Sequence, residues 1–213
     1  MTHDPRTSFL TQLLTTPAGR QHMLSISVDA EEGDETGIFD RLADVVDDPK
    51  LVRIVERHRD DEVRHAALFR GCLDRLGLEK QEIPAELKII HQIGEARGGA
   101  ERAIETPDDV VAVYAMLLAI EDRGVEQFPA IAEAFRPHDP DTADTYLRVA
   151  RDERGHVRYC ETVGRHYAGD DETWRAAVAT ARAVEAEAFV GVGLANVGYC
   201  ADRGWVSADV LTA

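Results

Sequence analysis

The sequence predicts an all-α fold, with four long helices forming two antiparallel hairpins, one long crossover between them, and an additional C-terminal helix. Three observations lead there. Acceptor-proline dipeptides stand at Thr16-Pro17, Asp48-Pro49, Thr106-Pro107 and Asp139-Pro140. Each puts a side-chain oxygen at a helix N-cap and proline at the first helical position, where its missing N–H costs nothing. Each is followed by apolar residues at steps of three and four, the helical period. The runs are also joined in pairs by the short polar links "DDP" and "RPHDP", which favour antiparallel neighbours.

In chain order, helices are expected near 17–47, 49–77, 107–136 and 140–168, each roughly 42 Å long at the standard rise. The first carries Leu24, Val28, Ile38, Leu42 and Val45 on its stripe. The second carries Leu51, Val52, Val55, Ala66, Phe69, Leu73 and Leu76, and stops near Gly77. The crossover, 78–106, contains Pro84, a short helix within "AELKIIHQIGEA", and Gly98-Gly99. The third helix opens with Asp108 and Asp109, which favour its dipole, and aligns Val110, Tyr114, Leu117, Phe128, Ile131 and Phe135. The fourth aligns Tyr146, Val149, Cys160 and Val163 and ends near Gly169. A further helix is expected near 172–203, where Gly191, Gly193 and Gly198 weaken the helix or admit a close backbone approach. No strand precedes these glycines, so they do not form a dinucleotide-binding loop. No shift in composition divides the chain, and 1–213 reads as a single domain.

Composition narrows the function classes. A net charge of −16 argues against nucleic acid or an anionic membrane as partner, because both need a basic surface. Cys72, Cys160 and Cys200 are odd in number and far apart, which excludes a disulfide framework or a cysteine-based metal knuckle. "MTHDPRTSFLTQLL" lacks a basic start followed by an apolar run, so no secretion signal is read there. No uncharged stretch is long enough to span a bilayer, and a cytoplasmic location is expected.

One motif demands an explanation. Asp-Glu-x-x-His occurs twice, as Asp61-Glu62-x-x-His65 and Asp152-Glu153-x-x-His156. Four Asp-Glu pairs and 8 His in 213 residues would yield roughly 0.15 such matches at random. Glu62 lies thirteen residues after Pro49 and Glu153 thirteen after Pro140, so the units sit at equal heights on equivalent helices of what looks like a duplication. On a helix, residues three apart share a face, so each Glu and His converge. Those faces are otherwise apolar, and burying an unpaired carboxylate there is costly. The alternative, two solvated Glu–His pairs, leaves the match in height unexplained.

Helix three adds Glu121, a charge within the row of Tyr114, Leu117, Phe128 and Phe135; Asp122 and Glu126 point elsewhere. Helix one offers Glu31, Glu32 and Glu35. The stripe's centre lies nearer Glu31 and Glu35. Glu32, however, has Val28, Phe39, Leu42 and Val46 at the offsets at which Glu121 has Leu117, Phe128, Ile131 and Phe135. Glu32 is chosen on that parallel, and the other two stay open.

With Glu32, Glu62-x-x-His65, Glu121 and Glu153-x-x-His156, the region 17–168 resembles the ferritin-like di-iron carboxylate superfamily. "DERGHVRYCETVG" and "IFDRLAD" look somewhat like the aldehyde-deformylating oxygenases. The resemblance implies a ferritin-like bundle holding two iron ions, with manganese as another occupant. Glu62 and Glu153 would bridge, Glu32 and Glu121 would be terminal ligands, and His65 and His156 would each bind one metal. Asp61 and Asp152 would accept from the opposite histidine's ring N–H. Two departures stand out: no rubredoxin-like segment follows, and helix one has surplus carboxylates. His58, Tyr114, Tyr146 and Cys160 are within reach of such a site, but are read as a hydrogen-bonded histidine, core aromatics and a buried thiol.

The expected function is that of an oxidoreductase activating O2 to oxidise a small apolar substrate, with an external electron donor, in a monomer or homodimer. The alternatives are an iron-handling ferroxidase or rubrerythrin-like protein with Glu31, Asp34 and Glu35 as an access path, a di-manganese peroxide-detoxifying protein, and a bundle with a vestigial site. One fold hosts all of these.

Overall fold

A computed structural model describes residues 5–32, 35–96, 104–207 and 209–210. Among them the secondary structure is helical: α1 Pro5–Leu13, α2 Pro17–Glu32, α3 Glu35–Val45, α4 Pro49–Arg75, a 3-10 turn Ala85–Leu87, α5 Ile89–Ala96, α6 Pro107–Phe135, α7 Pro140–Ala168 and α8 Asp171–Asp202. None of these helices is long and apolar enough to cross a membrane.

The acceptor-proline signals mark four helix starts, and three of the four cap as expected. The Thr16 hydroxyl accepts from the Gly19 N–H at 2.9 Å and Asp48 accepts from the Lys50 N–H at 2.7 Å. Thr106 and Asp109 form a reciprocal capping box. Asp139 does not cap α7. Its carboxylate is taken by Arg75 of α4, at 2.8 and 2.7 Å, so a tertiary ion pair displaces the local bond. Gly169, with φ of 74°, closes α7 in the left-handed conformation that glycine adopts without steric cost.

Over the expected helix 17–47 the described residues form α2 up to Glu32 and α3 from Glu35, and positions 33–34 between them lie outside the described residues. An unexpected helix, α1, precedes them and buries Phe9, Leu10 and Leu13. Of the two readings of the α8 glycines, close backbone approach is not the one seen: among the described residues no atom lies within 4 Å of a Cβ built at Gly193 or Gly198, and at Gly191 the nearest is the Gln92 side-chain oxygen at 3.7 Å. The close approach is at Gly164 of α7, where an added Cβ would lie 2.2 Å from the Trp174 ring of α8. Gly98-Gly99, Asp34 and the Glu35 side chain lie outside the described residues.

α2 packs on α4, α6 along α7, and the two pairs meet through α4 and α7; α8 lies against α6, and α3 against α4. The apolar core is split into two clusters. One gathers Phe39, Val55, Tyr114, Leu118, Cys160 and Trp174. The other gathers Leu24, Val28, Phe69, Phe135, Tyr146 and Val149. Along α4, Val55 belongs to the first and Phe69 to the second; along α6, Leu118 and Ile131; along α7, in reverse, Cys160 and Val149. Between the clusters, at one height on all these helices, lies a layer of buried acids and histidines.

Candidate metal centre

The layer consists of Glu31 from α2, His58, Glu62 and His65 from α4, Glu121 from α6, and Glu153 and His156 from α7. All seven are buried, and the three histidines are fully so. Helical periodicity puts them there. Glu31 follows Leu24 and Val28 at i+7 and i+3. His58, Glu62 and His65 are spaced four and three apart, between Val55 and Phe69 on one stripe.

His156 points Nδ1 into the layer, 2.8 Å from Glu153 Oε2, 2.9 Å from Glu62 Oε1 and 3.6 Å from Glu121 Oε2. His65 does the same on the other side, with Nδ1 3.4 Å from both Glu31 Oε2 and Glu153 Oε1 and 3.9 Å from Glu62 Oε2. Glu62 and Glu153 are thus common to both histidines, while Glu31 stands by His65 and Glu121 by His156. His58 completes the second side, its Nε2 3.0 Å from Glu121 Oε1 and 3.3 Å from Glu62 Oε1. Its ring centroid is 4.1 Å from that of His156, and Phe39 covers its other side at 4.5 Å.

The charge state follows from this crowding. Burial pushes the Glu153 carboxyl well above the usual range, and the Glu121 charge beside it pushes the same way. Burial pushes Glu121 up too, but hydrogen bonds to His156 and His58 outweigh it and hold the group at about 2. Glu62 is likewise held well below the usual range by Glu31 and the three histidines, against burial. The histidines are raised in turn: burial opposes their charge, and the surrounding carboxylates overcome it.

Two overlapping sets of four residues could each hold a metal ion: His58, Glu62, Glu121 and His156, and Glu62, His65, Glu153 and His156, with donor atoms within 4.8 Å of one another. The donor set suits a divalent cation, combining imidazole nitrogens with carboxylate oxygens. His65 Nδ1, His58 Nδ1 and His156 Nε2 are buried without a hydrogen-bond partner, and such orphaned atoms are costly unless something fills their valence. A cation between the inward Nδ1 atoms and the carboxylates would do so at His65.

The residues singled out from sequence fall as follows. Glu62, His65, Glu121, Glu153 and His156 are brought together. Glu32 is not: it pairs with Arg70 and lies 3.7 Å from Lys80 Nζ, on the flank of α2, and Glu31 occupies the position facing His65. The physical reason is the stripe on α2 itself: Glu31 stands seven residues after Leu24 and three after Val28, both fully buried, so it continues their face, whereas Glu32 falls one residue further round beside Arg70. Asp152 lies 3.4 Å from His65 Nε2, and Asp61 lies 3.5 Å from His156 Nε2, each across the α4–α7 seam. Tyr146 bonds Ser27 Oγ at 2.6 Å among Phe69, Phe128 and Phe135. Tyr114 and Cys160 belong to the opposite apolar cluster.

His58, read from sequence as a hydrogen-bonded histidine, bonds Glu121 at 3.0 Å and also stands in one of the two candidate metal sets. Sequence reasoning passed over one residue. Arg64 donates to both Asp61 and Asp152, at 2.6 and 3.0 Å, and nothing in a lone arginine on a charged helix distinguishes it beforehand.

In comparisons with protein-family models, curated proteins and solved structures, the chain matches none.

Proposed function

We propose that the buried layer is the dinuclear metal centre of an O2-dependent oxidoreductase acting on a small apolar substrate. The observation that carries this reading is that both copies of the Glu-x-x-His unit meet Glu31 and Glu121 in one buried layer, with Glu62 and Glu153 shared between the two sides. Glu31, Glu62, His65 and Glu153 would hold one ion. His58, Glu62, Glu121, Glu153 and His156 would hold the other, with Glu31 rather than Glu32 as the carboxylate from the first pair of helices. Two ferrous ions would supply the electrons and open positions for reducing dioxygen and oxidising the substrate, with manganese the other candidate occupant.

The protein's own share is positional. Paired helices keep the Nδ1 atoms aimed inward, Asp61 and Asp152 stand by the outward Nε2 atoms, and the flanking apolar clusters keep water from the carboxylates. The pairing of the four long helices and the ligand pattern support a ferritin-like reading. An external electron donor is required.

The test is anaerobic loading with ferrous ion, metal analysis and light scattering on one sample, then oxygen uptake with a reductant and candidate apolar substrates. About two irons per chain in a monomer or dimer, with substrate-dependent uptake, is the expected result. Many irons per chain in a large shell would replace it with iron storage, two manganese with peroxide chemistry, and no metal uptake would overturn it.

A further inference from the structure

The two motifs are not identical at their centres. The residue before the histidine is Arg64 in α4 and Gly155 in α7. If each half of a duplication kept its own outer contacts, each aspartate would have its own arginine. Instead Arg64 serves both. Its Nη2 lies 2.6 Å from Asp61 Oδ1, three residues earlier on α4, and its Nη1 lies 3.0 Å from Asp152 Oδ2 on α7. Each aspartate in turn faces the histidine of the opposite helix. Asp152 Oδ2 stands 3.4 Å from His65 Nε2 and Asp61 Oδ2 stands 3.5 Å from His156 Nε2. One planar guanidinium, with donors fixed in a fork, therefore ties together both outer carboxylates, of which Asp152 is hydrogen-bonded to His65 and Asp61 is the acid nearest the otherwise unpartnered His156 Nε2. Arg64 is 37% exposed in its side chain, whereas the histidines are fully buried, so through the two aspartates a half-exposed residue stands behind both sides of the layer.

We infer that Arg64 is a single positioning residue for both histidines, fixing the orientation of His65 through Asp152 and of His156 through Asp61. The inference rests on the metal reading above for its purpose, but not for its geometry. Without Arg64, Asp61 and Asp152 are free to turn towards water, so His65 loses the acceptor bonded to its Nε2 and His156 loses the carboxylate placed 3.5 Å from its own. Outer partners of metal-bound histidines typically change metal affinity about 10–100-fold. A partner shared by both sides should change both together, whereas two independent partners would not.

The duplication supplies its own control. A Cβ added at Gly155 meets no atom closer than Arg158 Nη2 at 3.8 Å, so the backbone there accepts a residue other than glycine. From that position an arginine stands three residues after Asp152, as Arg64 stands after Asp61.

The test compares wild type, Arg64→Met, and the double variant Arg64→Gly with Gly155→Arg, all metal-free and labelled with 15N-histidine. The first readout is the pair of downfield ring N–H resonances of His65 and His156, which persist only while a carboxylate protects them from exchange. Both should be seen in wild type, both lost in Arg64→Met, and both recovered in the double variant. The second readout is a Co2+ titration followed by visible absorption, in which Arg64→Met should weaken both equivalents by about 10-fold and the double variant should recover them. Loss of only one resonance, retention of both, or no recovery in a folded double variant overturns the inference. Should Arg64→Met fail to fold, the double variant still decides. Absence of Co2+ uptake by wild type would overturn the metal reading instead, leaving the ring protons to judge Arg64.

Discussion

The Nδ1 atom of His156 on α7 lies 2.9 Å from Oε1 of Glu62 on α4. That contact joins the two copies of one motif across a helix seam and makes each carboxylate a neighbour of the other copy's histidine. Its consequences can be checked one residue at a time.

Glu31 and Glu32 are adjacent but meet different partners, His65 and Arg70, so their substitution should separate cleanly. Glu31→Gln removes a carboxylate from the His65 side and should leave about one metal equivalent per chain by elemental analysis, while Glu32→Gln keeps two. The Glu32–Arg70 pair is partly exposed, and its loss should cost no more than about 1 kcal/mol in urea unfolding. Equal metal loss in both variants would remove the distinction.

Asp139 should contribute to acid sensitivity. Burial raises its carboxyl, but Arg75 and Thr142 outweigh that and hold it below the ordinary 3.8. A depressed acid contributes stability above its unfolded value and loses it as pH falls through the folded one. Asp139→Asn should therefore cost about 1 kcal/mol at pH 7, discounted because the Arg75 end is over a third exposed, and progressively less as the pH falls below 3.8. An equal cost on both sides of that value would show that charge is not the cause.

The Gly164–Trp174 contact should tolerate no methyl group. Gly164→Ala drives a Cβ into the buried ring and should cost about 1–3 kcal/mol. A neutral result in chemical denaturation would mean that α8 can shift on α7 freely.

Arg123 of α6 meets Glu185 of α8 through two bonds, at 3.0 and 2.8 Å, with the carboxylate side chain only 4% exposed. Arg123→Met strands that charge and should cost about 2–3 kcal/mol, less than for a wholly buried pair because Arg123 is 29% exposed. Adding Glu185→Met should recover most of it. A double variant as unstable as the single one would show that the pair matters for more than charge.

Much of this architecture was legible because acceptor-proline pairs and helical periodicity are local signals. α7 runs over 140–168 as expected, and α4 and α6 begin at their prolines. The same signal stands at Asp4-Pro5, yet α1 was missed because the run behind it is too short to stand out. The choice between Glu31 and Glu32 was harder to read, because the apolar stripe's centre favoured one residue and the parallel with Glu121 the other. Within the site, the motif residues were legible because acids stand out in apolar rows. Arg64 was not, since its role depends on two aspartates from different helices meeting at one point.

The separation of the core into two apolar clusters has a bearing on how the chain unfolds. Without cations, the acid and histidine layer is a plane of weak cohesion, and each side can open with its own free energy. Filling that plane would bind the two halves into one cooperative unit. Amide hydrogen exchange should then report two sets of opening energies for the metal-free protein, Val55 and Leu118 in one and Phe69 and Ile131 in the other, and a single set once the layer is occupied.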